Sequence, residues 1–201
     1  MTDKSAITQY PIHDLLKERW SPRAFSSQAV ELEKLLQLFE AARWAPSGSN
    51  GQPWNFIFAT TAQPDAHARM VDVLGLRNQL WAKDAPVLVL AIAQMERQPG
   101  APNRYAWYDV GQSVALLSVQ ATAAGLSVHQ MGGFDAEKAR EVFGIPQGYE
   151  AVTAIAVGYL GDPDRLPDDI RAREREPRRR KPLNEFVFAN GWGQPVEIET
   201  V

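Results

Sequence analysis

The sequence predicts a mixed fold in which helices and strands alternate and pack in layers around one core. Three observations carry this. Short apolar runs at 54–60, 85–93 and 151–160 have the length and composition of strands. Between them lie segments with apolar residues at three- and four-residue spacing, most plainly 31–43 and 105–124. The 201 residues, 45% hydrophobic and 22% charged, suffice for one sizeable core and show no repeat or hinge-like linker.

Taken in order, 11–20 reads as a short helix with Ile12, Leu15 and Leu16 on one face, followed by a polar turn containing Pro22, Ser26 and Ser27. In 31–43, Leu32, Leu35, Leu36 and Phe39 fall at i, i+3, i+4 and i+7, and the helix stops before Pro46. The segment PSGSNGQP (46–53) is dense in residues that break regular structure. WNFIFAT (54–60) has strand character, 66–76 reads as a helix ending near Gly75, and a short helical stretch at 78–83 leads into the strand APVLVLAIA (85–93).

Residues 94–103 read as a Pro/Gly-bearing loop. The longest helix is 105–124, with Val110, Val114, Leu117 and Ala121 facing the core and Gly125 at its end. A short strand at 127–131 runs into Gly132-Gly133, and Asp135 is placed to cap a helix over 136–143, which Gly144 and Pro146 terminate. AVTAIAVGYL (151–160) is a further buried strand. From Gly161 the chain is loop-rich and charged, ending in an apolar arm at Phe186, Val187, Phe188 and Trp192. A monomer gains little from such an arm, so a partner subunit is expected to receive it. The expected organisation is one domain over 1–201, its core at about 12–160, with 161–201 as loop and arm.

Composition excludes several chemistries. There are no cysteines, so disulfides, thiolate metal sites and thiol nucleophiles are absent, and redox chemistry requires a bound cofactor. Three histidines without metal-ligand spacing point to no metal site. A net charge of −3 gives no global attraction to nucleic acid or anionic membrane. Residues 1–9 lack a basic start and an apolar run, and the 85–93 run falls far short of the ~20 residues that span a bilayer. A cytoplasmic protein without membrane contact is the expectation. No G-x-G-x-x-G follows a strand, so a Rossmann-type nucleotide site is not expected, which leaves NAD(P)H open as a reductant.

Three clusters carry candidate chemistry. Arg19-Trp20-Ser21-Pro22-Arg23 places two guanidinium forks around a hydroxyl just past a helix, which suits a phosphate monoester; alone, it also suits a solvated helix end. Pro46-Ser47-Gly48-Ser49-Asn50-Gly51-Gln52-Pro53 combines close backbone approach with donors and acceptors, which suits a flavin ring edge or, alone, an ordinary surface loop. The run RAREREPRRRK (171–181) reads as a solvated face; Glu174 and Glu176 dilute it and no aromatics interleave to stack on bases, so nucleic acid is not expected as a partner. His13 and His67 read as surface residues. His129 reads as structural, with approach to a cofactor as the alternative. Trp107 and Tyr108 suit a substrate-pocket wall and core packing equally.

Together these segments resemble the nitroreductase family of FMN-dependent enzymes over about residues 12–188. RWSPRAF is similar to its R-x-S-x-R phosphate motif, APSGSNGQPW to its P-S-S-x-N-x-Q-P-W loop with Gly48 in place of a serine, GLSVHQMGGFDAEKAREVFGIP to its segment under the flavin, and RRRKPLNEFVF to its late basic motif. The resemblance implies an α+β, three-layer fold with a mostly antiparallel central sheet flanked by helices, and a C-terminal arm exchanged in a homodimer. It implies FMN, with Arg19, Ser21, Arg23, Arg178 and Arg180 at the phosphate and Trp20 among the cofactor-binding residues. Pro46, Ser47 and Asn50 would come from the other subunit. Gly133 would offer its N–H to flavin N5 beside Gly132 and Met131, and Asn78 would contact the ring.

The function implied is ping-pong transfer of reducing equivalents from NADH or NADPH to a nitroaromatic, quinone or similar flat acceptor. No side chain is expected to act as a catalytic acid or base, because the flavin carries the chemistry. Reductive dehalogenation or dehydrogenation on the same scaffold, and flavin binding without turnover, are the alternatives.

Overall fold

The computed structural model describes residues 4–196. The terminal residues 1–3 and 197–201, which belong to the expected 1–201 domain, lie outside the described residues. In chain order the elements are α1 (Asp14–Glu18), α2 (Leu32–Arg43), β1 (Trp54–Thr60), α3 (Pro64–Asp72), α4 (Leu76–Ala82), β2 (Val87–Gln94), β3 (Glu96–Gln98), β4 (Ala101–Pro102), α5 (Ala106–Ala123), β5 (Ser127–Met131), α6 (Ala136–Phe143), β6 (Tyr149–Gly158) and α7 (Asp168–Arg175). Four strands form one sheet in the order β1-β2-β6-β5, every neighbouring pair antiparallel.

The central strand β2 is apolar at nearly every position because helices cover both faces of the sheet. Leu88, Leu90 and Ile92 point to one side, where they meet Met70, Val73, Trp81, Ala139 and Ile170 from α3 to α7. Val87, Val89, Ala91 and Ala93 point to the other, against Leu35, Leu38 and Ala42 of α2 and the α5 stripe Val110, Val114, Leu117 and Ala121. The result is three layers, helix on sheet on helix. Among the described residues no helix is long and apolar enough to cross a membrane.

Several local expectations are corrected. Leu32 and Leu36 of α2 are 62% and 53% exposed, because Leu35, Leu38 and Ala42 form the face turned to the sheet and the other leucines sit on its flank. His67 is buried, its Nε2 2.8 Å from the Ala85 carbonyl, where a surface position was expected. The loop expected at 94–103 holds the small β3-β4 hairpin. The charged stretch after Gly161 contains α7; only Ile170 and Glu174 of this helix turn inward, too few for an apolar period to be visible. The 24–26 segment closes on the end of β6: Ala24 accepts from Gly161 N at 2.9 Å, and a Cβ at Gly161 would fall 2.4 Å from the Phe25 carbonyl group. Glycine is therefore needed at 161.

Candidate functional site

A cleft of about 720 Å³ lies between the amino-terminal segment, α1 and the chain after α7. Its lining includes Arg19, Arg178, Arg179, Arg180 and Lys181, and no acidic residue among the described residues. Ile12, Leu16, Leu183 and Phe186 give it an apolar side. The cations press on one another: burial first, and then the Arg180 charge, lowers the basicity of Arg19. Arg178 is lowered by burial first and then by Arg19 and Arg180. Arg178 is fixed there by donating Nη1 to the Lys4 and Lys17 carbonyls, each at 2.8 Å. Arg19 Nη1 lies 3.4 Å from Ser21 Oγ. Arg19, Arg178 and Arg180, with no acid among the described residues of their cleft, have the donor set of a site for a doubly charged phosphate monoester.

The other members of the first cluster are placed differently. Trp20 is half-buried under the Lys4 ammonium, 5.3 Å from its ring centroid, and lines a neighbouring hollow with Glu174. Arg23 faces Glu174, its Nη1 3.6 Å from Oε2. Glu174 is 2% exposed, and its Oε1 accepts from the backbone N–H groups of Arg23 and Ala24 at 2.7 and 3.2 Å. The sequence reading missed Glu174, treating it as a diluent of a basic run; its one signal was its i+4 spacing from Ile170.

His129 of β5 donates Nδ1–H to the Pro22 carbonyl at 2.8 Å and packs its ring 4.6 Å from Trp81, which in turn stacks on Phe25. Burial, assisted by the Arg23 charge and opposed by the Pro22 and Ser21 backbone, pulls its pKa down to about 4. His129 is thus neutral at pH 7 with its proton on Nδ1. Through this stack the 19–25 loop is joined to α4 and to β5.

At the end of β5, Gly133 is exposed and its carbonyl accepts from Gly75 N at 2.8 Å and Asn78 Nδ2 at 2.9 Å. Its own N–H meets no acceptor among the described residues. An ideal Cβ at Gly133 would lie 2.9 Å from Asn78 Nδ2, so this pair is packed to contact. Met131 is buried, its carbonyl accepting from Thr153 Oγ1 at 3.0 Å. Gly132 is exposed beside it.

The 46–52 loop holds Ser49, Asn50 and Gln52 at φ of 56°, 53° and 46°. Left-handed backbone at non-glycine residues costs roughly 1–2 kcal/mol each and persists only where neighbours over-determine it. The anchors are Gly48 N to the buried Asp109 at 3.1 Å, Gln52 N to Ser47 Oγ at 3.0 Å and Gln112 Nε2 to the Pro46 carbonyl at 3.5 Å. Asn50 is left exposed. Tyr105, which lies beside Gly48 of this loop, and Trp107 and Tyr108 after it are 45%, 50% and 68% exposed, so none of them is a core residue of this chain.

The structure therefore brings Arg19, Ser21, Arg178 and Arg180 together, and separately brings Asn78 to Gly133. It does not bring the 46–50 loop to either group. That loop enters β1 at one edge of the sheet, whereas Gly132 and Gly133 leave β5 at the other, three strand spacings or roughly 14 Å away.

Comparison with known proteins bears on the family and the fold. The sequence model of the nitroreductase family matches residues 16–159. A crystal structure described as an oxidoreductase containing FMN is 35% identical, superposes with a TM-score of 0.90, and is covered over 99% of its length by 96% of this chain. A nitroreductase family protein from Clostridium difficile 630 is 25% identical with a TM-score of 0.70, over 88% of this chain and 96% of that one. The iodotyrosine deiodinase of Thermotoga neapolitana is 25% identical over 173 residues, 76% of this chain and 90% of that protein.

Proposed function

The chain belongs to the nitroreductase family, and from that premise we propose that it is an FMN-dependent oxidoreductase acting as a homodimer. It takes reducing equivalents from NADH or NADPH and delivers them to a nitroaromatic, quinone or similar flat acceptor. The observation that carries this reading is the cleft holding Arg19, Arg178 and Arg180, which no acid lines among the described residues. Its donor set fits the terminal phosphate of FMN, and the exposed Gly133 N–H is a free donor for the polar edge of a ring.

Bound FMN supplies the capacity to accept a hydride from nicotinamide and pass electrons on. The protein's part is binding and orientation. Arg19, Arg178 and Arg180 hold the phosphate, with Ser21 as a neutral donor. Gly133 is held in place by the Gly75 and Asn78 donors on its carbonyl, so its N–H is aimed in advance and needs no reorganisation when charge reaches it. His129, neutral and committed to Pro22, is a structural residue of the site and not a proton donor to substrate. Because the 46–50 loop and Gly133 stand on opposite sheet edges, a second copy of the chain supplies Pro46, Ser47 and Asn50. The apolar arm, with Phe186 at 56% and Trp192 at 93% exposure, is the segment available for exchange. One open pocket serves both substrates in turn, hence ping-pong kinetics.

The test begins with the absorption spectrum of the purified protein and identification of the cofactor released by heat; FAD, or no flavin, defeats the reading. Rapid mixing with NADH and NADPH then measures reduction, and a protein that binds FMN without being reduced is a flavin carrier instead. A second reading, reductive dehalogenation, is favoured by the similarity to iodotyrosine deiodinase. Turnover of a halogenated phenol panel in preference to nitroaromatics and quinones would select it.

A further inference from the structure

We infer that Glu174 is a positioning residue for the phosphate cradle: it joins the 19–24 segment, which carries Arg19 and Ser21, to the segment that carries Arg178 and Arg180. The inference rests on the reading of that cleft as the FMN phosphate site. It concerns a residue on a helix that no recognised motif includes.

The cradle is built from two stretches about 150 residues apart in sequence, so something must hold them in register. Glu174 does this with one side chain. Oε1 takes two consecutive backbone donors, Arg23 N at 2.7 Å and Ala24 N at 3.2 Å, as a carboxylate capping a turn does. Oε2 makes no hydrogen bond among the described residues and faces the Arg23 guanidinium at 3.6 Å. The opposite side of the same turn is held by His129 on the Pro22 carbonyl and by Gly161 N on the Ala24 carbonyl. The turn is thus gripped on its N–H side by α7 and on its C=O side by the sheet.

Helix α7 is itself anchored by Ile170 in the core, and the exposed Arg77–Asp169 ion pair, 2.7 Å, also links it to α4. It ends at Arg175, and the chain runs directly on to Arg178 and Arg180. A buried carboxylate beside a cluster of cations that must stay free for a phosphate would be harmful if it competed for them. Glu174 avoids this by engaging Arg23; neither of the two lines the cleft, and Glu174 is buried. Its charge balances the Arg23 guanidinium and leaves Arg19, Arg178 and Arg180 to the ligand.

Glu174→Gln keeps the length of the side chain but divides its work. The single amide oxygen can serve the backbone donors or the guanidinium, and the amide NH₂ repels Arg23 where the carboxylate attracts it. The experiment titrates apo-protein, wild type and Glu174→Gln, with FMN and with riboflavin, which lacks the phosphate, following quenching of flavin fluorescence. The expected result is a wild-type preference for FMN that falls tenfold or more in the variant, with riboflavin affinity within twofold of wild type. Equal weakening of both ligands, or a preference that falls by less than threefold, overturns the inference, because general structural support would not single out the phosphate. A wild type that does not prefer FMN defeats the reading of the cleft and this inference with it. Should Glu174→Gln fail to accumulate as folded protein, Glu174→Asp, which keeps the charge but withdraws it by one methylene, is judged by the same ratio.

Discussion

His129 donates its Nδ1–H to the carbonyl oxygen of Pro22 across 2.8 Å, linking an edge strand to the turn that follows Arg19. This contact requires no charge on the imidazole, and burial keeps the ring neutral down to a pKa of about 4. In the unfolded chain the same group titrates near 6.5. Between these values the unfolded state binds the extra proton, so folding stability falls as pH drops from about 6.5 towards 4 and is level above that window with respect to this group. The full effect is at most about 3 kcal/mol. Urea unfolding midpoints at pH 7.5, 6, 5 and 4.5 should show the decline, and His129→Gln should flatten it. An equally steep decline in the variant would assign the pH dependence elsewhere.

The cluster of Arg19, Arg178 and Arg180 should bind phosphate without any flavin present. Millimolar inorganic phosphate is expected to raise the melting temperature of the apo-protein, and Arg19→Gln or Arg180→Gln should abolish the rise. In the same variants FMN binding should weaken by about 1.5–3 kcal/mol, the scale of a hydrogen bond to a charged group. Fluorescence titration measures this directly. Undiminished FMN affinity in both variants would place the phosphate somewhere other than this cleft.

Gly133 and Asn78 should behave as one unit. A methyl group at 133 would stand 2.9 Å from Asn78 Nδ2, and relieving that clash breaks the bond to the Gly133 carbonyl. Gly133→Ala is therefore expected to cost about 1–3 kcal/mol of stability, as overpacking does. In an Asn78→Ala background the obstructing amide is gone and the same change should be close to neutral. The measurement is a double-mutant cycle by denaturant unfolding of the apo-protein; strict additivity would show that the two residues do not constrain each other.

Truncation after Pro182 removes Leu183 and Phe186 from the wall of the cationic cleft, together with the exposed apolar residues that follow. The shortened chain should run as a monomer in light scattering and lose flavin absorbance in parallel, since partner and cofactor sustain one another by mass action. A truncated protein that stays dimeric and retains its flavin would remove the arm from the assembly.

Much of this fold was legible because its core helices and strands carry their own periodicity. The strand at 127–131 and the helix at 136–143 lie where the residues placed them, the latter because Asp135 accepts from Lys138 N at 2.9 Å and Gly144 takes the left-handed φ of 62° that ends it. Arg19, Ser21, Arg178 and Arg180 were legible as a group through their motifs. Glu174 was not, because a buried carboxylate inside RAREREPRRRK has the same local signature as a solvated one.

By itself, then, the sequence determined the alternation of elements, the strand at β2, the absence of thiol chemistry and the residue types able to hold a phosphate. These depend on local spacing and composition, which a linear reading contains. The tertiary structure alone decided which flank of α2 faces the sheet, that Arg23 answers to Glu174 while Arg19 and Arg180 line a separate cationic cleft, and that Pro46–Asn50 and Gly133 leave opposite sheet edges. Each of these is a relation between side chains about 20 to 150 residues apart in sequence. Whether a charge is balanced or left free there is settled by burial and by which partner the fold brings within 3 to 4 Å, roughly the range at which ion pairs and hydrogen bonds act.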